Sequence, residues 1–365
     1  MTAGTIAPML NRPSAAMIEA LSTVAPGRPL REGVDRILQA SMGALIVVGD
    51  GPEVLNICSG GFLLDAEFSP QRLSELAKMD GAIILSANAN RIARANVHLV
   101  PDPHVPTSET GTRHRTAERV ARSIDVTVLS VSEDRAVIAV YRNNEKYMLD
   151  PVPRLVARAN SALQTLERYK LRMDTVATTL SALEVEDLVT VRDVATLLQR
   201  AEMVRRIAEE IEGYVVELGV DGRLIILQLE EVMAGVDDDR RHLFRDYGRV
   251  PTGANADEAI ARLARLSTER LLDLAEVAAI LDPPGTNGEL DAGVQPRGYR
   301  LLSRIPRLPE SVLSHIVEHF GSLHKIMGAT LEDLDDVEGV GATRAKAIRE
   351  GLARLVETTV LDRYN

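Results

Sequence analysis

Two short stretches carry polar residues whose types and spacing suit phosphate chemistry. In "KMDGAIILS" the carboxylate of Asp80 stands before Gly81 and Ala82 at the head of an apolar run. Such a carboxylate can hold a divalent cation with one or two protein ligands, water and phosphate oxygens filling the other positions, which is how Mg²⁺ is usually held. Gly81 has no side chain and Ala82 a small one, so a flat base or sugar can approach there. The plain alternative is that Asp80 only caps a strand or turn, since Asp is a routine turn former. In "ETGTRHRTAER" Thr112 and Thr116 stand four apart and share one helix face. Their hydroxyls, the amides of a helix N-terminus, Arg113, His114 and Arg115 can converge on one anion, a layout suited to a triphosphate. A solvated helix face would account for the charges, but it explains the threonines and Gly111 poorly.

A third stretch lies near the carboxyl end. "VEGVGATRAKAIREGL" sets Gly339 and Gly341 around Val340, directly before a helix expected to begin near Thr343. Two glycines allow a tight turn at positive φ and let a phosphate approach the amides at the positive end of the helix. Arg344 and Lys346 add local charge, and Ala345 and Ile348 fall on the packed face. The pattern resembles the helix-hairpin-helix DNA-binding motif. The preceding "LPESVLSHIVEHFGSL" reads as its degenerate partner, with Pro309 and Glu310 where glycines would stand. The other reading is a helical hairpin whose glycines serve only the turn. From Arg297 to Asn365 ten Lys and Arg face ten Asp and Glu, so this segment is neutral. Binding would then rest on hairpin amides holding phosphates, which positions a protein on DNA without reading bases.

The elements that must position these residues follow from the hydrophobic period. From Leu10 to Ala40 apolar residues recur at helical spacing, with a break at "APGRP". Short apolar runs bounded by Gly, Asp, Pro or Ser then read as strands: "GALIVVG", "VLNICSGG", "DGAIILS", "VTVLSVS" and "AVIAVYR". Between them "SPQRLSELAKM" and "RHRTAERVARSI" read as helices, the first capped by Ser69 and the second by Thr112 or Gly111. A mixed sheet covered by helices, an α+β domain, is therefore expected over 1–150. After "LDPVPRL" nearly everything from Arg154 to Leu281 is amphipathic helix, expected as a rigid spacer or oligomerisation spine over 151–285. "LDPPGTNGELDAGVQPRG" reads as a linker, and 286–365 as the hairpin domain.

Composition narrows the function. At 365 residues the chain suggests more than one domain. No apolar run approaches the roughly 20 residues of a membrane-spanning helix. The N-terminal stretch lacks the features of a signal peptide, so a cytoplasmic location is expected, with no membrane partner. The single cysteine, Cys58, excludes an internal disulfide and a cysteine-built zinc site, and it reads as a small packed residue. A net charge of -11 argues against wholesale electrostatic binding of nucleic acid, though not against a local site. Walker, GxGxxG and nucleophile-elbow signatures do not occur.

Taken together, "DGA", "HLVPD", "GTRHRTAER" and "VSEDRAVIAVY" resemble the diadenylate cyclase domain. With a helical middle and a helix-hairpin-helix end, the whole order is similar to the family of DNA-integrity-scanning diadenylate cyclases over essentially all 365 residues. The resemblance implies that two ATP are condensed to cyclic di-AMP and two pyrophosphates, each 3'-hydroxyl attacking the α-phosphate of the other ATP. It implies that Asp80 coordinates Mg²⁺ or Mn²⁺ and helps place the ribose hydroxyl. Gly81 and Leu99 would contact the adenosine, with Ala82 in the same ATP site. Thr112, Arg113, His114, Arg115 and Thr116 would hold the phosphates, Arg113 and Arg115 acting in catalysis. Ser132 and Glu133 fall where further phosphate or metal contacts are expected. Gly339, Val340, Gly341, Thr343, Arg344 and Lys346 would bind DNA. An ATP cradle on each chain requires at least a facing dimer, and the family implies an octamer. Its DNA would be branched or damaged, in the setting of DNA repair, regulating the cyclase and bringing the protein to the nucleoid. The sequence departs from the family at His98, where Gln would be unsurprising, and at Asp134, within "SEDRAV". Two other readings fit the chain: a DNA-binding scaffold that only senses ATP, and a nucleotidyltransferase with a different acceptor.

Overall fold

The structure, a computed structural model, describes residues 13–133, 136–249 and 253–363. Asp134, a departure from the family pattern, lies outside the described residues. The chain divides into two compact units, 1–161 with 211–227, and 162–210 with 228–365.

The first unit is built on one eight-stranded sheet. Helices α1 (Ala15–Thr23) and α2 (Pro29–Gln39) lead into strand β1 (Ala44–Val48), which is followed by α3 (Pro52–Asn56), β2 (Cys58–Ser59) and β3 (Phe62–Glu67). Then come α4 (Pro70–Leu76), β4 (Ala82–Leu85), β5 (Arg91–Leu99), α5 (Thr112–Ser123), β6 (Thr127–Ser132), β7 (Val137–Arg142) and β8 (Glu145–Met148). The order across the sheet is β2-β5-β4-β1-β6-β7-β8, and β3 pairs with β5. Strand β1 lies parallel to β4 and antiparallel to β6, so the sheet is mixed as expected.

Every residue of β1 and β4 is buried, because both faces of these strands are covered. On one face Ile46, Val48, Ile83, Leu85 and Leu129 pack with Met17, Val34, Ile37 and Leu73 of α1, α2 and α4. On the other, Leu45, Val47, Ile84 and Val128 pack with Ala117, Val120 and Ala121 of α5. Each such side chain contributes about 1.5–3 kcal/mol on burial. Ser69 caps α4 by accepting from the Arg72 amide, as its position suggests.

Two sequence readings need correction. "VLNICSGG" is no continuous strand, for Val54 to Asn56 close α3 and only Cys58 and Ser59 pair, with Leu99 and His98. Strands β3, β5 and β8 were hidden, because exposed or charged positions interrupt their apolar pattern: five of the six β3 residues are exposed. Cys58 is part-buried as expected. Its Sγ lies 3.1 Å from the Val54 carbonyl, and burial pushes the thiol pKa up.

Helices α6 (Val152–Glu186), α7 (Val191–Leu218), α8 (Arg223–Met233), α9 (Val236–Tyr247), α10 (Gly253–Ala264), α11 (Thr268–Leu272) and α12 (Leu274–Leu281) occupy most of the middle of the chain. Within the first unit the turn after α7 docks on the turn before α2, where the Val220 amide donates to the Pro26 carbonyl at 3.3 Å. Tyr147 and the Asp150 amide both donate to Glu217.

In the second unit residues 282–298 are irregular yet pinned. The amides of Val191 and Arg192 donate to Ala292 and Leu290, and Arg192 pairs with Asp291 at 2.8 Å. Beyond it α13 (Tyr299–Leu302), α14 (Glu310–Phe320), α15 (Leu323–Gly328), α16 (Leu331–Asp335) and α17 (Gly341–Arg363) gather around Leu302, Leu313, Ile316, Leu334 and Ile348. Among the described residues no helix is long and apolar enough to cross a membrane.

Candidate active site and hairpin surface

Register collects the polar residues of the first unit at one end of its sheet. Ile46 pairs with Ile83 in the parallel β1–β4 ladder, and Ala44 pairs with Val131 in the antiparallel β1–β6 ladder. Asp80 precedes β4, Gly43 precedes β1 and Ser132 ends β6, all at this end of the sheet. Gly43 is the member that no sequence motif announced. A Cβ there would stand 2.4 Å from Nη1 of Arg113, so the missing side chain makes room for that guanidinium. Arg113 also donates from Nη2 to Oδ1 of Asp80 at 2.9 Å. The two stretches read separately in the sequence therefore meet at this end of the sheet.

Asp80 itself is 93% exposed, open to solvent and to a substrate. Among the described residues no group of three or more His, Cys, Asp and Glu could enclose a metal ion. One open carboxylate is the donor set suited to Mg²⁺ bound chiefly by phosphate and water. Gly81 also serves packing. A Cβ there would fall 2.6 Å from the Asn96 backbone, so Gly81 accommodates β5, whose Asn96 sits at φ 53°. Ala82 is buried under α5, and Leu99 is only 5% exposed in the same core. Their side chains thus build the floor of the region and face no open surface.

Helix α5 brings its N-terminus to the same sheet end. Gly111 is the N-cap and Thr112 the first helical residue, and no side chain caps the first-turn amides. That leaves the positive end of the helix for an anion. Thr112 and Arg115 are exposed. The Thr116 hydroxyl donates to the Thr112 carbonyl at 3.0 Å, so its proton serves the helix here. Ser132 is half-buried and Glu133 exposed at the end of β6.

Not all of the basic run is aimed at the site. Arg119 donates to the Val105 carbonyl at 3.0 Å, and Arg122 donates to the Pro106 carbonyl at 2.6 Å. The buried Glu118 accepts from the Ser108 amide at 3.0 Å and from Thr107 Oγ1. These three side chains clamp the loop that enters α5, which helps fix where its first turn stands. His114 turns toward Tyr141, with Nδ1 2.8 Å from the phenol oxygen. The Tyr141 hydroxyl donates to Glu109 Oε1 at 3.2 Å, and Lys146 pairs with the same oxygen. Burial works to raise the pKa of Glu109, but Lys146, Tyr141 and His114 outweigh it and hold the carboxyl below its ordinary value. Tyr141 is shifted far upward by burial and by Glu109. Sequence reasoning missed Tyr141 and Lys146, which lie in ordinary strand patterns.

The hairpin in the second unit has the backbone its glycines suggest. Gly339 and Gly341 adopt φ of 85° and 54°, and α17 starts at Gly341, two residues before Thr343. Thr343, Arg344 and Lys346 are exposed while Ala345 and Ile348 are buried. Val340 is buried and its amide donates to the Val337 carbonyl at 3.0 Å, so it sets the turn and offers nothing outward. Arg344 donates to the Gly339 carbonyl at 2.5 Å, bracing the turn.

The earlier half repeats this turn at a shifted position. Leu308 donates to Ile305 as Val340 does to Val337, and Arg307 holds φ of 65° where Gly339 holds its own. Arg307 and Pro309, not Pro309 and Glu310, are therefore the counterparts of the two glycines. Glu310 is instead the first residue of α14 and pairs with Arg245.

Comparison with known proteins agrees with this geometry in its broad terms. Residues 31–146 match the family model described as DisA bacterial checkpoint controller nucleotide-binding, and residues 149–289 match the DisA bacterial checkpoint controller linker region. The chain is 56% identical over 347 residues to the DNA integrity scanning protein DisA of Frankia alni, covering 94% of this chain and 96% of that one. To the protein of the same name from Streptomyces coelicolor it is 52% identical over 351 residues, covering 95% and 94%. To that of Kineococcus radiotolerans it is 52% identical over 353 residues, covering 96% and 98%.

Proposed function

The chain belongs to the DisA family and is a diadenylate cyclase, a nucleotidyltransferase, and from that premise we propose that the sheet end bearing Asp80 and Arg113 is half of its active site. The observation that carries this reading is the 2.9 Å hydrogen bond from Arg113 to Asp80, with Gly43 making room for the guanidinium. It supports a site in which a carboxylate, a cation and the positive end of α5 serve one triphosphate.

In this mechanism the first-turn amides of α5 and the guanidinium groups of Arg113 and Arg115 bind the phosphates of ATP and neutralise their charge. Thr112 adds a hydroxyl at the same helix end, and Ser132 with Glu133 borders it from β6. Mg²⁺ or Mn²⁺, held by Asp80, would supply charge neutralisation at the phosphates. Asp80 would also help orient a ribose hydroxyl. A 3'-hydroxyl, its proton passing to solvent, then bonds through its oxygen to the α-phosphorus of the opposite ATP as the α–β bridging bond breaks and pyrophosphate leaves. A second such step closes cyclic di-AMP. Alignment and charge do most of this work, as in phosphoryl transfer generally.

One chain supplies one cradle, so the reaction needs two copies face to face, and an octamer would provide such pairs. The domain roles proposed are cyclase over 1–150, helical spine over 151–285 and DNA-binding hairpins over 286–365. Branched or damaged DNA would be held through the amides and cations around Gly339, Gly341, Thr343, Arg344 and Lys346, and would regulate the cyclase. The neutral charge of that segment favours recognition of shape over sequence.

The decisive test is incubation of the purified full chain with ATP and Mg²⁺ or Mn²⁺, followed by chromatographic detection of cyclic di-AMP and pyrophosphate. Asp80→Asn should abolish both products. Product at the wild-type rate from that variant would overturn the role of Asp80, and ATP binding without any product would favour a scaffold that only senses ATP.

A further inference from the structure

One cation in the earlier half of the hairpin domain is left uncommitted among the described residues. Arg300, Arg304 and Arg307 follow one another on the approach to its turn. Arg300 is spent on the buried Glu184, and Arg304 donates to Ser181 Oγ at 3.2 Å. Arg307 is exposed, and its side chain has neither a hydrogen bond nor an ion pair with any described residue. The acid that follows it does not mask it. Glu310 pairs with Arg245 through one oxygen, and its other oxygen lies 3.9 Å from Nε2 of His242, both partners belonging to α9. The turn is therefore left with the charge of Arg307.

This turn lies close to the one that carries the glycines. A Cβ at Gly339 would stand 3.4 Å from Val312 in the first turn of α14, and Nδ1 of His315 in the same helix lies 3.0 Å from the Glu338 carbonyl. Ile305, at the head of the earlier turn, packs beside Gly351 of α17, where an added Cβ would meet it at 3.0 Å. The two turns thus share one small core. They differ in what they offer an anion. Gly341 keeps an N–H and Gly339 is bare, whereas Pro309 has no N–H and Arg307 brings a guanidinium. Arg307 does so at φ 65°, a conformation that glycine would adopt with less strain.

We propose that the side chain of Arg307 is a second phosphate contact of the hairpin domain. A DNA backbone is then held through amides at the turn of Gly339 and Gly341, and through a guanidinium at the earlier turn. This inference rests on the reading that the later turn binds DNA. A guanidinium suits the task because its planar fork pairs with two phosphate oxygens at once. Such a contact positions the protein without reading bases.

The test is fluorescence anisotropy of the full chain with a labelled four-way DNA junction over a range of salt concentrations. Arg307→Ala is expected to weaken binding about three- to tenfold and to lower the salt slope of the affinity by about one, the loss of one phosphate contact. Arg307→Gly separates side chain from backbone. Glycine suits φ 65° and opens the turn in the manner of Gly339, so this variant should melt no lower than wild type. It should nevertheless lose affinity and slope as Arg307→Ala does. Arg307→Lys keeps the charge and should keep the slope. Lys325→Ala removes another exposed cation, on α15, and should change neither quantity.

Wild-type affinity and slope in Arg307→Gly would overturn the proposal, because the turn would then act through its backbone or not at all. An equal loss from Lys325→Ala would also overturn it, since any exposed cation of the domain would then serve. Failure of the underlying reading looks different: Gly341→Ala and Lys346→Ala would then bind the junction as wild type does, and both readings fall together.

Discussion

Arg113 donates to Asp80 at 2.9 Å, which joins residues 33 apart in the sequence across the backbone of Gly43. The pair is an exposed one, with Asp80 93% accessible. Exposed ion pairs contribute about 0–1 kcal/mol to stability, so its value lies in what it places at the sheet end. Asp80→Asn and Arg113→Ala are expected to leave the melting temperature nearly unchanged and to reduce cyclic di-AMP formation by about a hundredfold or more. Thermal denaturation and a product assay on the same preparations check both halves of this expectation. Arg113→Lys should not restore activity fully, because an ammonium lacks the planar fork that can reach Asp80 and phosphate together.

The two glycines beside this pair should respond differently to the same change. At Gly43 an added methyl meets the far end of the flexible Arg113 side chain, which can move. Gly43→Ala is therefore expected to weaken ATP use while the fold keeps its stability. At Gly81 the added methyl meets the Asn96 backbone at 2.6 Å, which cannot yield without shifting β5. Gly81→Ala should cost about 1–3 kcal/mol of stability, as overpacking does. Denaturant titration of the two variants separates them, and equal midpoints would contradict the geometry.

A buried carboxylate in the second unit predicts a pH dependence of stability. Asp246 accepts from the amides of Gly298, Tyr299 and Arg300, but burial and then the Glu184 carboxylate push its pKa up to about 7. In the unfolded chain an aspartate titrates near 4 (about 3.9). Between those values the folded state binds the extra proton, so stability should fall as pH rises from about 4 to about 7, by roughly 4 kcal/mol at most through this group. Below that window the contribution is fully present. Unfolding midpoints measured across the range for wild type and Asp246→Asn test it, the variant being expected to lose this slope.

Close by, Arg300 and Glu184 form an ion pair whose side chains are both fully buried. Removing one partner strands the other charge, at a cost of about 3–5 kcal/mol. Arg300→Leu should therefore destabilise the second unit strongly, whereas Arg300→Leu combined with Glu184→Leu should recover much of the loss. Chemical denaturation followed by circular dichroism suits this comparison, and a double variant no better than the single one would contradict it.

For the hairpin, Gly341→Ala forces a side chain onto a φ of 54°, a strain of about 1 kcal/mol. It is expected to weaken binding of branched DNA. Lys346→Ala should weaken it across all DNA sequences alike and lower the salt slope of the affinity by about one. Val340→Ala, by contrast, should act on stability, because Val340 is buried in the core around Leu313 and Ile348. Fluorescence anisotropy at several salt concentrations distinguishes the three.

Much of the first unit was legible because its central strands are covered on both faces. "ALIVV" and "AIIL" are unbroken apolar runs for that reason. Strand β5, "RIARANVHL", was not legible, since its arginines and Asn96 interrupt the run although the strand lies between β4 and β3. The counterparts of the hairpin glycines were misplaced, by two positions for the first and one for the second, because Arg307 takes a positive φ that a non-glycine residue rarely adopts.

By itself the sequence determined which residue types were present and which could act locally: a carboxylate before a strand, a basic helix start after Gly111, a pair of glycines before a helix. Such features depend on neighbours within one or two turns of chain. What tertiary structure alone decided was partnership. The fold brought Arg113 to both Asp80 and Gly43, packing turned His114 to Tyr141, and the loop before α5 claimed Arg119 and Arg122. It also turned Leu99, Ala82 and Val340 into the core. These outcomes rest on ladders and contacts between distant segments, and the period of a local pattern carries no information about which distant strand lies alongside.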